Sequence, residues 1–70
     1  MDVTANMAGT VVGVKAQPGE DVAQGQEIVV LESMKMEIGV AAPAAGRVAA
    51  VHVQPRDQVA EGQLLFSLDG

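Results

Sequence analysis

The chain carries the same pattern twice. Gly9 to Glu32 align without gaps on Gly46 to Asp69. Gly9 matches Gly46, Val11 matches Val48 and Val14 matches Val51. Gln17-Pro18 matches Gln54-Pro55, Val22-Ala23 matches Val59-Ala60, Gly25-Gln26 matches Gly62-Gln63, and Leu31 matches Leu68. In each copy a small-residue turn leads into a Val-rich strand. A Pro-containing turn, a short strand, a Gly turn and an apolar strand follow. Neither copy can bury its apolar face alone. Two copies related by an approximate two-fold axis can, which predicts an all-β fold: a flattened β-barrel or sandwich of two small antiparallel sheets.

Period-2 alternation and β-branched content place strands at Val3 to Ala5, Thr10 to Ala16, Glu27 to Ser33, Met36 to Ala41, Arg47 to Gln54 and Leu64 to Leu68. Brief pairings are expected near Asp21 to Ala23 and Gln58 to Ala60. Pro18, Gly19, Gly25, Pro43, Gly46, Pro55 and Gly62 punctuate them. The alanines from Ala41 to Ala45 are interrupted by Pro43 and Gly46, which argues against a helix there. With no linker or low-complexity stretch, residues 1–70 read as one domain.

The connection between the two copies is unique. It contains Glu32-Ser33-Met34-Lys35-Met36-Glu37. A two-residue turn at Met34 and Lys35 sets Ser33 opposite Met36, Leu31 opposite Ile38 and Val29 opposite Val40, all on one apolar side. The other side then holds Glu32 opposite Glu37 and Val30 opposite Gly39. A slip of one residue would turn the apolar set into water. Two local rules are broken here. Two-residue hairpin turns favour Asn-Gly or Asp-Gly because they need φ > 0, and like charges facing across strands destabilise the pair. Rule-breaking concentrated at one place marks a functional site. The structural alternative is a longer, ordinary loop with a solvated charge cluster. The hairpin reading puts Lys35 at the tip, far from the chain ends. Met34 is expected to be exposed in the turn and Met36 to fill apolar space beside Ser33.

Composition limits the remaining classes. A chain of 70 residues buries only about 60% of its unfolded surface, so its stability should be modest. Hydrophobic residues make up 49%, with Phe66 the single aromatic, so Val, Ile, Leu, Ala and Met must build the core. There is no cysteine and hence no thiol chemistry. The formal net charge is -5, and Lys15, Lys35, Arg47 and Arg56 do not cluster. Nucleic-acid binding, which needs phosphate neutralisation and stacking platforms, is therefore not expected. Neither is binding to an anionic membrane. No apolar run approaches the ~18 residues that span a bilayer, and no basic region followed by an apolar run opens the sequence, so no secretory signal and a cytoplasmic location are the expectation.

Glu-Ser-Met-Lys-Met-Glu resembles the attachment motif of biotinyl domains, the biotin carboxyl carrier family. The usual core there is Ala-Met-Lys-Met or Ser-Met-Lys-Met. Ala42-Pro43-Ala44-Ala45-Gly46-Arg47-Val48 resembles the strand that follows the hairpin in that family. Gln17-Pro18-Gly19-Glu20-Asp21-Val22 and Gly25-Gln26 resemble the turn before it. The length is similar to that of the short biotin/lipoyl attachment proteins. Lipoyl domains share the fold, a barrel-sandwich hybrid with a quasi-two-fold repeat, but usually carry Asp-Lys-Ala or Asp-Lys-Val. There are departures: Asn6-Met7-Ala8-Gly9 lacks the prolines of the family's Pro-Met-Pro-Gly run, and there is no room for the thumb-like loop of some bacterial carriers.

The resemblance implies a non-catalytic biotin carboxyl carrier. Lys35 would be joined to biotin by a biotin protein ligase, with Glu32, Met34 and Met36 helping the ligase recognise the site. A lysine amine is protonated in neutral water, so the ligase must take its proton before attack on biotinyl-adenylate gives an amide. The arm would then serve a biotin carboxylase and a carboxyltransferase. Lipoate on the same lysine, in a 2-oxoacid dehydrogenase or glycine cleavage system, is the alternative within this fold. An unmodified β-sandwich interaction module is the alternative from another class.

Other residues read as structural. His52 aligns with Lys15 on the polar side of its strand, where an ordinary surface histidine is expected. Ser33 and Ser67 lack a Gly-x-Ser-x-Gly context. Glu20, Asp21, Asp57 and Glu61 sit in turns without metal-ligand spacing, so no metal is expected. Lys15 lies in a strand with no matching motif.

Overall fold

The alternating, β-branched segments form eight strands: β1 (Asp2–Thr4), β2 (Gly9–Val14), β3 (Asp21–Val22), β4 (Glu27–Ser33), β5 (Met36–Ala41), β6 (Gly46–Val51), β7 (Gln58–Val59) and β8 (Leu64–Asp69). The computed structural model describes residues 1–69. Among them there is no helix. β4 and β5 have the predicted bounds. The expected strands to Ala16 and Gln54 stop earlier, at Val14 and Val51. Ala16 and Val53 stay buried at 1% and 7% exposure, so alternation continues past the hydrogen-bonded ladder. The backbone is already turning toward Pro18 and Pro55, and its last links are Lys15 N–H to Ile28 O and His52 N–H to Leu65 O. Lys15 therefore follows β2 rather than lying within it.

The strands make two four-stranded antiparallel sheets, ordered β1-β8-β6-β3 and β5-β4-β2-β7. Exchanging β1–β4 with β5–β8 carries one order onto the other. Each sheet takes its two central strands from one half of the chain and its two edge strands from the other. The halves are interlocked, and neither closes a sheet by itself.

The turns repeat the symmetry bond for bond. Glu20 N–H donates to Gln17 O and Asp57 N–H to Gln54 O, each at 3.1 Å. The Glu20 carboxylate accepts from the Gln17 amide, and the Asp57 carboxylate from the Gln54 amide. Gln26 and Gln63 cap Ala23 and Ala60 in the same manner. Glu20 and Asp57 thus serve the turns that contain them.

Among the described residues, Phe66, Ile28, Leu31, Leu65, Val11, Val29 and Val48 are the largest fully buried side chains, and no polar side chain is buried with them. The body measures 33 × 17 × 17 Å. β2 begins at Gly9, against Glu32 near the β4–β5 turn, and ends at Val14. β6 ends at Val51, which lines the same cleft as Val14, and begins at Gly46, beside the Arg47–Asp69 pair. The N-terminal amine donates to Leu68 O at 2.8 Å. The β4–β5 turn and the Met1–Asp69 end therefore stand at opposite ends of the long axis.

Candidate functional site

The β4–β5 hairpin has the register that the apolar pattern predicts: Ser33 with Met36, Glu32 with Glu37, Leu31 with Ile38, Val30 with Gly39 and Val29 with Val40. That register leaves two residues to turn the chain. Met34 has φ 53° and Lys35 φ 66°, the two positive values that define a type I′ turn. Left-handed backbone costs an L-residue about 1–2 kcal/mol. The cost is met by burial behind the turn, where Val29 and Leu31 are both fully buried.

The hairpin outruns the opposing sheet. On its apolar side Leu31 and Val40 are buried, Ile38 is half-buried and Met36 is 64% exposed. Met36 therefore does not fill the core beside Ser33, because no opposing strand reaches that far. Met34 is 92% exposed, as its turn position predicts. Lys35, Glu32 and Glu37 are exposed as well. The tip is a cation between two exposed methionines, with a pair of facing carboxylates one step behind.

Two glycines let the hairpin sit where it does. A Cβ on Gly9 would lie 2.7 Å from the Glu32 carbonyl oxygen, so β2 can pass under the hairpin only without a side chain. Gly39 is covered by the Glu27 side chain, whose carboxylate meets Lys15 Nζ at 3.4 Å.

The cations divide into two kinds. Lys15 pairs with Glu27, and Arg47 Nε lies 3.4 Å from Asp21 Oδ1. Among the described residues, the side chains of Lys35 and Arg56 make neither an ion pair nor a hydrogen bond. Lys35 is thus the unengaged lysine. Lys35 is exposed on the two-residue turn, so covalent extension of this side chain fits the structure. Nothing in its residue type marks Arg56. Its signal is the repeat itself, which sets Arg56 against Gly19, and both are left-handed at φ 80° and 93°.

The remaining candidates are placed as structural residues. Ser67 Oγ donates to Asp2 Oδ1 at 3.1 Å. His52 is exposed, and among the described residues no group of three or more His, Asp or Glu side chains is placed to hold a metal. No helix among them is long and apolar enough to cross a membrane.

The chain is similar to known proteins in sequence and in fold. The chain is 45% identical over 42 residues to a biotin/lipoyl attachment protein of Bacillus subtilis, covering 60% of this chain and 58% of that one. It is 52% identical over 42 residues to the biotin carboxyl carrier protein of acetyl-CoA carboxylase from Solanum lycopersicum, 60% of each chain. The matches thus span about three fifths of these relatives. Among solved structures, a single-chain, multi-domain long-chain acyl-CoA carboxylase superposes with a TM-score of 0.88 at 42% identity, over 94% of this chain and 7% of that one. The lipoyl domain of the Azotobacter vinelandii 2-oxoglutarate dehydrogenase complex superposes with a TM-score of 0.83 at 32% identity, over 100% and 96%. The Biotin_lipoyl family model, described as "Biotin-requiring enzyme", matches residues 1–68. With that match running from the first strand through the last, the chain belongs to the Biotin_lipoyl family.

Proposed function

We propose that the chain is a biotin carrier domain, with biotin joined to Lys35 Nζ through an amide, working within a biotin-dependent carboxylase. The observation that carries this reading is Lys35 itself: an exposed, unpaired amine held at the second position of a strained two-residue turn, between exposed methionines. A strained tip that protein packing does not require is explained by an outside enzyme that reads its shape. Likeness to a biotin carboxyl carrier protein and to an acyl-CoA carboxylase supports biotin as the group.

When bound, biotin supplies a nitrogen that takes up a carboxyl group at one active site and releases it at another. The chemistry belongs to the cofactor, and the protein supplies position. Lys35 holds the group at the far end of a rigid sandwich. Its flexible side chain lets the group reach separate sites, and the tether raises the local concentration at each. The partners in this reading are a biotin protein ligase, a biotin carboxylase and a carboxyltransferase. Glu32, Met34 and Met36, exposed near Lys35 on the same hairpin, are the residues proposed for ligase recognition.

A lipoyl carrier is the second reading. The specific observation in its favour is the lipoyl-domain structure that matches over nearly the whole of both chains. The Met-Lys-Met tip favours biotin over it. Intact mass of the protein from its native host decides: a biotinyl increment supports the carrier reading, a lipoyl increment selects the second, and an unmodified chain sinks both. Lys35→Arg should abolish the increment, whereas Lys15→Arg should leave it. Modification that persists in Lys35→Arg moves the site elsewhere.

A further inference from the structure

Arg56 pays a conformational penalty that its symmetry mate avoids. Gly19 and Arg56 close equivalent Pro-containing turns, each with the third residue left-handed, at φ 93° and 80°. The bonds around them correspond: Gly19 N–H donates to Val48 O at 2.8 Å, and Arg56 N–H to Val11 O at 2.7 Å. Both values suit the second central position of a type II turn, where glycine is the residue of choice. The fold accepts glycine here, as its other half shows. Arginine gains nothing from the fold in return, since its exposed side chain makes no ion pair or hydrogen bond among the described residues.

The substitution is also placed asymmetrically. Gly19 lies beside Val48, in the half of the body near Met1 and Asp69. Arg56 lies beside Val11, in the half near Lys35, at the edge of the sheet that carries the hairpin. Gln58 pairs with Thr10, and Thr10 with Glu32. From Arg56 to Lys35 is therefore about two strand spacings sideways, ~10 Å, and about four residues along, ~13 Å. The diagonal is about 16 Å, the radius of a patch of ~800 Å², which is what one partner buries in an interface of standard size. An enzyme seated over the tip reaches Arg56.

We propose that Arg56 is a docking contact for a surface carboxylate on the enzyme that modifies Lys35. The proposal rests on the carrier reading above. Lys15 and Arg47 are held by ion pairs, so among the described residues Arg56 is the arginine free to meet a carboxylate from outside, and its guanidinium favours a planar, bidentate grip.

The test is steady-state biotinylation of the apo chain by the biotin protein ligase of its own host, with biotin and ATP, comparing wild type, Arg56→Gly, Arg56→Lys and Arg56→Glu. Arg56→Gly should melt at a higher temperature than wild type, yet have a KM about two- to five-fold higher, the range of one exposed ion pair. Arg56→Glu should have the highest KM, and Arg56→Lys should recover part of the loss. kcat should not change, because Arg56 does not touch the reacting amine. At about 0.5 M salt the KM values should converge, since screening weakens exposed pairs. Equal KM values at low salt would overturn the docking role while leaving the carrier reading intact. Failure of the wild type to accept biotin would remove both. A lower melting temperature for Arg56→Gly would remove the premise of strain.

Discussion

Glu32 and Glu37 face each other directly across the β4–β5 hairpin, one residue pair behind the turn. Both are exposed, so water and salt moderate their repulsion without cancelling it. Replacing one of them with a neutral isostere removes that repulsion and leaves the ladder untouched. Glu37→Gln should therefore raise stability by about 0.5 kcal/mol at low ionic strength. Near 1 M salt, where the screening length is about 3 Å, the gain should vanish. Urea unfolding at two salt concentrations reads both quantities, and a gain that is independent of salt would place its cause elsewhere.

The turn stores strain at Met34 as well as at Lys35. Met34 is 92% exposed, so its replacement loses almost no burial. Asparagine tolerates the left-handed region better than methionine does. Met34→Asn should stabilise the domain by about 1 kcal/mol, or roughly 4–8 °C in melting temperature for a domain of this size. Under the proposed role of Met34, the same change should slow modification of Lys35. Opposite movement of stability and modification rate would mark a residue kept for recognition. A fall in melting temperature would show that the turn is not strained at this position.

Local patterns carried most of the candidate site's geometry. Alternation from Val29 to Leu31 and from Ile38 to Val40 sets the hairpin register, because one slipped residue exposes the whole apolar side. The absence of Asn-Gly at a two-residue turn marks the hairpin tip as the candidate site, and both turn residues are left-handed there. What local patterns do not carry is how far the opposing sheet extends. Met36 alternates like a core residue but stands beyond the strands that would cover it. Strand ends mislead for a related reason: Ala16 and Val53 follow the burial pattern after the ladder has stopped. The repeat reveals two equivalent halves, yet the interlocking of those halves depends on pairings such as β1 with β8, between residues almost a chain length apart. Arg56 was legible only by comparing the copies.

Gly9 and Gly39 should respond differently to the same added methyl group. At Gly9 the new Cβ meets a backbone carbonyl, 2.7 Å away, on the strand that ends in the tip. Neither strand can yield without shifting the hairpin, so Gly9→Ala should cost about 1–3 kcal/mol. At Gly39 the new Cβ meets the Glu27 side chain, which can swing aside. Gly39→Ala should therefore cost less than about 1 kcal/mol, the penalty being a disturbed, exposed Lys15–Glu27 pair. Paired urea titrations test the order, and a larger loss at Gly39 would contradict the geometry.

Phe66 tests whether the two halves stand or fall together. It is the single aromatic residue, it is fully buried, and it lies on β8, the sequence equivalent of β4. Truncating such a side chain costs about 3–5 kcal/mol. A domain of this size has roughly 4–10 kcal/mol in total, at the usual stability per residue. Phe66→Ala should therefore be close to its unfolding threshold at room temperature. Val12→Ala, at a 42% exposed position, should cost less than about 0.5 kcal/mol. Because each sheet mixes strands from both halves, the loss at Phe66 should not stay on its own sheet. Amide exchange in the β4–β5 hairpin should accelerate together with exchange in β6 and β8. Protection that survives in the hairpin while β8 opens would mean that the hairpin sheet is stable without its partner, and that Lys35 is presented by half a sandwich.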